Sequence, residues 1–157
     1  MKIYIKFFTQ IFLKSLLYVI SIMFSLIFIL NLLTELEFFK EIEVASSFPI
    51  FLSLLNSPSM IFEMLPFIFL ITTQLFFIKL FNNNEIEIFK YSGLKNTNIL
   101  KIFSLIVIVT GIILTMIVYN FSAIFKNFYL EEKTKFTTDS KYLAVITKNG
   151  LWIKDEI

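Results

Sequence analysis

The sequence contains no cysteine, no histidine and no arginine, and these absences remove several classes of chemistry at once. Without cysteine there are no disulfides, no thiolate catalysis and no cysteine metal sites. Without histidine, Ser/His/Asp and Cys/His nucleophilic sites are excluded, as are metal sites built on imidazole. A carboxylate pair completed by residues outside this sequence stays open, but the sequence shows no catalytic set of its own, so we expect a protein that is not an enzyme.

Glycine and charge are also scarce. The three glycines are Gly93, Gly111 and Gly150, and none lies in a phosphate-cradling or dinucleotide-binding pattern, so no nucleotide cofactor is expected. The 14 basic residues, all lysine, are scattered and the net charge is only +2. A nucleic-acid-binding protein would cluster them on one face. We therefore expect neither a cofactor nor a nucleic-acid partner.

What the sequence does contain is apolar residues, which make up 57% of the chain and include 21 phenylalanines. The mean hydropathy is +0.82, far above that of soluble globular proteins. Apolar runs cover about 15–33, 60–81 and 99–125, and each is long enough to cross a bilayer at roughly 20 residues per span. The sequence therefore predicts an α-helical transmembrane domain over residues 1–126 with three membrane-spanning helices.

The second span carries most of the polar and proline signals. The connector before it, residues 34–57, is acidic and partly apolar, and we expect it to lie along the membrane surface. Ser57 followed by Pro58 has the pattern of an N-cap with proline at the first helical position. Pro66 should kink the span. Gln74, near its middle, is either a functional contact or a hydrogen-bonding group between helices.

A short polar segment separates the second and third spans, and residues 84–95 are called the handle below. Asn84 with Glu87 forms an asparagine version of the capping box, and Gly93 supplies a stop, so a helix is expected over about 85–92. Two turns are too few to be stable alone in water. The handle must therefore pack on something, and its periodicity leaves open whether that is lipid headgroups or a protein.

Orientation follows from the distribution of lysine, because lysine is enriched on the cytoplasmic side of membrane proteins. Three lysines precede the first span, and four occur from Lys79 to Lys101, whereas the connector between the first two spans has one. We therefore expect a multi-pass membrane protein with the amino end and the handle in the cytoplasm and the carboxyl end outside.

The tail, residues 127–157, is polar and carries a hairpin signal. Tyr142–Thr147 and Leu151–Lys154 read as strands around Asn149-Gly150, a pair favoured in type I′ turns. A lone hairpin is marginally stable, so we expect the beginning of an external β domain that is incomplete here, and hence a fragment or a truncated product.

Three stretches together resemble a known family. They are PSMIFEMLPFIFL (58–70), NEIEIFKYSGLK (84–95) and GLWIKDE (150–156). In this order and spacing they resemble the LptF/LptG permease family of the lipopolysaccharide export ABC transporter, and residues 150–155 look most like LptG. The resemblance implies a six-span permease half with a periplasmic β-jellyroll between spans three and four, of which this chain matches the amino-terminal part.

The resemblance also implies a function and partners. Such a subunit extracts lipopolysaccharide from the inner membrane and passes it to an LptC-like membrane protein and a periplasmic bridge. It works beside an LptF-like half and is driven by an LptB-like ATPase dimer that binds the family's coupling helix. Here that helix is the handle, where Glu85 falls on the family's characteristic glutamate, Gly93 on its terminal glycine, and Ile86 and Phe89 are the expected packing neighbours.

In the family, span one helps to line the substrate cavity and lateral gate, for which Asn31, Lys40 and Gln74 are the candidates here. The family often places basic residues at the outer end of this span, whereas this sequence has Asn31, Glu35, Glu37 and only Lys40. That departure weakens the case for a direct phosphate contact. The alternatives are an LptF-type half of the same exporter, or a membrane scaffold or assembly protein with no transport role.

Overall fold

The computed structural model describes residues 3–136, 144–147 and 150–153, the last two ranges as backbone only. A helical bundle precedes a two-stranded hairpin. The elements in chain order are α1 (Ile3–Phe38), α2 (Phe48–Glu63), α3 (Leu65–Asn82), α4 (Glu85–Tyr91), α5 (Asn96–Thr134), β1 (Ala144–Thr147) and β2 (Gly150–Ile153).

Three helices are long and apolar enough to cross a membrane, namely α1, α3 and α5. The most apolar parts of these helices have mean hydropathies of 2.6, 1.6 and 2.7. Each helix contains most or all of one predicted span. The 36 residues of α1 rise about 54 Å, well beyond a hydrocarbon core of about 30 Å. The prediction of three apolar helices long enough to span a membrane is confirmed, and the helices α1 and α5 are longer than the apolar runs in the sequence.

The connector before the second span is not a surface segment, because much of it is the buried helix α2. Leu52 and Ser53 have no exposed surface, and the helix packs against both α1 and α5. It begins at Phe48 with Pro49 in its first turn, so Pro58 lies inside it. The predicted cap at Ser57 is therefore wrong: burial of the upstream apolar residues extends the helix by more than two turns.

The break expected at Pro66 occurs two residues earlier, at Met64. α2 ends at Glu63 and α3 starts at Leu65, with Pro66 in its first turn. Proline offers no N–H to the preceding turn and disfavours helical geometry in the residue before it, so a break just upstream is expected. Together α2 and α3 make one interrupted helix.

Phenylalanine forms the core at one end of the bundle, called the handle end because the handle lies there. The Phe76 and Phe103 rings stack with centroids 4.1 Å apart and an interplanar angle of 12°. Phe12 meets both edge-on, at 6.3 Å and 5.6 Å. Phe8 meets Phe76 edge-on at 5.9 Å. These rings join α1, α3 and α5 at this end of the bundle.

A second apolar cluster lies at the opposite end of the bundle, called the tail end. The Phe39 ring sits 5.5 Å from both Phe48 and Phe136, edge-on to each. Buried Leu52, Leu55 and Tyr129 complete the cluster. It fixes the loop after α1 against the end of α5.

The predicted strands pair as an antiparallel hairpin. Ala144 lies opposite Ile153, and Thr147 lies opposite Gly150. The predicted turn at Asn149 falls outside the described residues, as do the side chains of both strands. A larger β domain stays a prediction.

Candidate functional site

The handle reverses the chain between α3 and α5, and its start differs from the predicted capping box. Asn84 has φ = 53°, in the left-handed region, and its side chain makes no capping bond. Its N–H donates to the Phe81 carbonyl at 3.1 Å, which closes the end of α3, while its own carbonyl accepts from the Glu87 N–H at 3.1 Å. Asparagine is used here because it tolerates left-handed backbone geometry, not as a side-chain cap.

The end of the handle helix forms as predicted. Gly93 has φ = +87°, the Leu94 N–H donates to the Phe89 carbonyl at 3.0 Å, and the Gly93 N–H donates to the Lys90 carbonyl at 2.9 Å. This pair of bonds is a Schellman motif, which requires a residue free of a Cβ penalty at the left-handed position. The helix therefore stops at a fixed place and directs the chain into α5.

One side of the handle is anchored to α1. The Phe89 ring lies 4.9 Å from Phe8 and 5.6 Å from Phe7, measured between centroids. Ile86 and Leu94 pack against the same core. The two predicted packing neighbours, Ile86 and Phe89, thus face the protein's own bundle.

The other side of the handle is open. Tyr91 is 89% exposed and Ile88 is 61% exposed, an unusual exposure for large apolar side chains at a polar turn. Glu87, one residue before Ile88, is exposed as well. Neither Ile88 nor Tyr91 is among the coupling residues expected from the sequence, although their spacing of three places them on one helical face.

Glu85 lies between these two sides and is half-buried. Its Oε1 accepts a long hydrogen bond of 3.4 Å from the Asn83 amide. Its Oε2 is buried and has no hydrogen-bond partner within residues 3–136. A buried carboxylate oxygen without a donor is costly, and the cost is removed when the partly exposed side chain turns toward a donor on another molecule.

A buried polar seam crosses the bundle toward the tail end; it consists of Asn31, Asn56, Ser57 and Lys126. Asn31 donates to the Ser57 hydroxyl at 3.4 Å and accepts from the Asn56 amide at 3.2 Å. The Lys126 ammonium donates to the Asn56 carbonyl oxygen at 2.7 Å. The seam ties α1, α2 and α5 together through amide and hydroxyl groups.

One turn beyond the seam, Glu35 is 1% exposed and forms an ion pair with Lys133 at 2.8 Å. The Tyr129 hydroxyl donates to the same carboxylate at 2.8 Å. Charge and hydrogen bonds together satisfy a carboxylate that would otherwise be very costly to bury. This cluster is not among the sites expected from the sequence. The available signal is the spacing of Lys126, Tyr129 and Lys133, which places them on one face of α5.

The candidate gate residues do not form one site. Asn31 belongs to the polar seam, whereas Lys40 is exposed in the loop after α1 and Gln74 is exposed on α3. Thr72, close to Gln74, bonds back to the Ile68 carbonyl at 2.7 Å within α3. Within the described residues no cluster of acidic side chains is arranged to hold a metal ion.

Comparison with known proteins gives one family. A family model described as "Lipopolysaccharide export system permease LptF/LptG" matches residues 6–156, a range that includes the handle, the polar seam and both strands. No curated protein and no solved structure matches the chain.

Proposed function

Because the chain belongs to the LptF/LptG family of lipopolysaccharide export system permeases, we propose that its handle couples the membrane spans to a separate ATPase. Family membership and the three apolar helices make it a multi-pass inner-membrane protein. Members of the family are transporter permease subunits that work in a membrane complex. The proposal concerns how this subunit receives the energy for transport.

The observation that carries the proposal is the unpartnered Glu85 Oε2 beside the exposed side chains of Ile88 and Tyr91. A groove on the ATPase that offers a basic group to Glu85 and apolar contacts to Ile88 and Tyr91 fits this surface. A charge-assisted hydrogen bond to a carboxylate contributes roughly 1.5–3 kcal/mol, enough to matter for docking.

The anchored side of the handle transmits the movement. Phe89 contacts Phe7 and Phe8 near the start of α1. A displacement of the handle therefore acts on α1, whose far end carries Asn31 and Glu35. Packed aromatic cores resist continuous deformation, so a shift at the handle moves α1 rather than being absorbed locally.

We assign the subunit to the LptG type, with an LptF-like half, an LptB-like ATPase dimer and an LptC-like protein as partners. Residues 150–155 support this type, and the hairpin supports a periplasmic β-jellyroll that begins after α5. In this arrangement the handle faces the cytoplasm, and lipopolysaccharide leaves toward the periplasmic bridge.

The test is co-purification of the ATPase with the permease from cells that express the whole complex. Glu85→Gln removes the charge with little change in shape, and we expect the ATPase to be retained about tenfold or more weakly, since one charge-assisted bond is lost. Glu87→Gln is the matched control, because Glu87 is an exposed carboxylate on the same helix.

A second variant separates docking from transmission. Phe89→Ala should leave ATPase retention close to wild type but reduce lipopolysaccharide release from proteoliposomes, because it cuts the contact with α1 and not the docking surface. Equal retention of the ATPase by wild type, Glu85→Gln and Glu85→Lys would contradict the coupling proposal and favour a scaffold role.

A further inference from the structure

A small groove of about 190 Å³ opens at the handle end, between the last turns of α3, the handle and the first turn of α5. Its two polar side chains are Lys90 and Asn96. The remainder is apolar and comes from three helices: Phe77, Phe81, Ile86, Ile99 and Leu100.

The groove sits where the apolar helices give way to polar sequence. α3 ends at Asn82, and α5 starts at Asn96, so the groove spans the level at which the chain leaves the hydrocarbon. Long apolar side chains at this level face lipid chains, while polar ends reach the headgroups. The occupant must therefore suit an apolar floor and a hydrated rim.

The rim carries one positive charge, on Lys90, that has no ion-pair partner among the described residues. The Lys90 ammonium forms no ion pair and no hydrogen bond with any of residues 3–136. Lys79, the one lysine of α3, instead donates to Ser15 on α1 at 3.0 Å. Lys90 is thus available to an anion that approaches along the membrane surface.

We propose that this groove binds one acyl chain of an anionic phospholipid, with the Lys90 ammonium on the headgroup phosphate. Basic pockets between membrane helices commonly hold anionic headgroups, and here the apolar lining supplies the place for the chain. A zwitterionic lipid would gain the apolar contacts but not the net charge attraction. The site requires neither the ATPase nor lipopolysaccharide.

A lipid chain bound in the groove would support the handle on a side where it has no protein neighbour among the described residues. Ile86 lines the groove, while Phe89 packs on α1. A lipid chain against Ile86 therefore supports the handle helix between α3 and α5. The handle is therefore held more rigidly in a membrane that contains more anionic lipid.

Tryptophan quenching by brominated lipids tests the proposal on the protein reconstituted into bilayers. The single native tryptophan is replaced by W152F, and a reporter is introduced by Leu100→Trp, in the groove. Ile112→Trp, on the same helix with a native exposure of 53% against 55% for Leu100, is the matched control outside the groove. Mixtures of brominated phosphatidylglycerol or phosphatidylcholine with unbrominated lipid give relative binding constants at each reporter.

We expect phosphatidylglycerol to bind about fivefold more tightly than phosphatidylcholine at position 100 and with equal strength at position 112. Lys90→Gln should abolish the preference, whereas Lys95→Gln, an exposed lysine outside the groove, should leave it in place. Equal binding of the two lipids at position 100 would overturn the proposal. So would a preference that survives Lys90→Gln, or one that Lys95→Gln removes to the same extent, since that indicates a diffuse surface charge.

Discussion

At the scale of single residues, the most constrained charge in the described chain is the Glu35 carboxylate. It is buried at the junction of α1 and α5 and receives the Lys133 ammonium and the Tyr129 hydroxyl. Burying such a pair costs desolvation energy, so its main effect is to specify which face of α5 meets α1. Sequence spacing shows the face of α5, but only the fold brings it to Glu35.

Lys133→Met should destabilise the protein by about 3 kcal/mol, because it leaves the Glu35 charge buried and unpaired. Adding Glu35→Leu should restore most of that loss, since the double variant buries no charge. Unfolding in detergent, followed as a double-mutant cycle, measures the coupling. Lys135→Met, which breaks the exposed pair with Glu132, should stay within about 0.5 kcal/mol of wild type.

Strictly additive effects of Lys133→Met and Glu35→Leu would contradict this account. The result would mean that the two charges are not coupled in the folded protein.

At the scale of elements, the backbone geometry of two residues, Asn84 and Gly93, sets the two ends of the handle helix. Its end was predictable because Gly93 is the residue type that a left-handed helix stop requires. The position of its start was also predicted correctly, but the capping box was not, because Asn84 has two possible uses and the local sequence does not choose between them. The tight reversal out of α3 favours the left-handed backbone and leaves the side chain out of capping range.

Two glycine substitutions should have opposite effects on their helices. Gly93→Ala places a Cβ at φ = +87° and should speed amide hydrogen exchange across residues 85–92 by about fivefold or more, equivalent to ~1 kcal/mol of strain. Gly111→Ala lies inside α5, where the new Cβ would meet the Phe69 ring at 3.8 Å, an ordinary contact.

Gly111→Ala should therefore slow exchange in α5, since alanine is favoured over glycine in a helix by roughly 0.5–1 kcal/mol. Faster exchange after both substitutions would show that close packing at Gly111 dominates over backbone preference. Unchanged exchange in the handle after Gly93→Ala would contradict the Schellman stop.

The helix α2 marks the limit of reading elements from the sequence. Acidic residues before it favoured a surface connector, and the Ser57-Pro58 pair favoured a helix start. Burial of Leu52 and Ser53 between α1 and α5 outweighed both signals. Local patterns cannot report this, because the partners of α2 lie far away in the chain.

At the scale of the whole molecule, the helices place the handle and the polar seam at opposite ends of α1. The lysine distribution predicts that the handle end is cytoplasmic. Ser92 and Ser46 are exposed at the two ends, and the absence of cysteine makes each a unique labelling position after substitution.

Ser46→Cys should react with a membrane-impermeant maleimide in cells whose outer membrane is permeabilised, whereas Ser92→Cys should react only after the inner membrane is disrupted. The physical reason is that α1, which is long and apolar enough to cross the bilayer, separates the two positions. Labelling of Ser92→Cys in intact cells, with protection of Ser46→Cys, would reverse the proposed orientation and place the handle out of an ATPase's reach.

The sequence by itself determined the number of apolar spans, the end of the handle helix and, through three short stretches, the family. These depend on composition and on local backbone preference, which the chain carries within a few residues of each feature. The tertiary structure decided which handle residues face inward, that α2 is buried, and that Glu35 meets Lys133. These depend on contacts between distant segments, so they arise only when the helices pack.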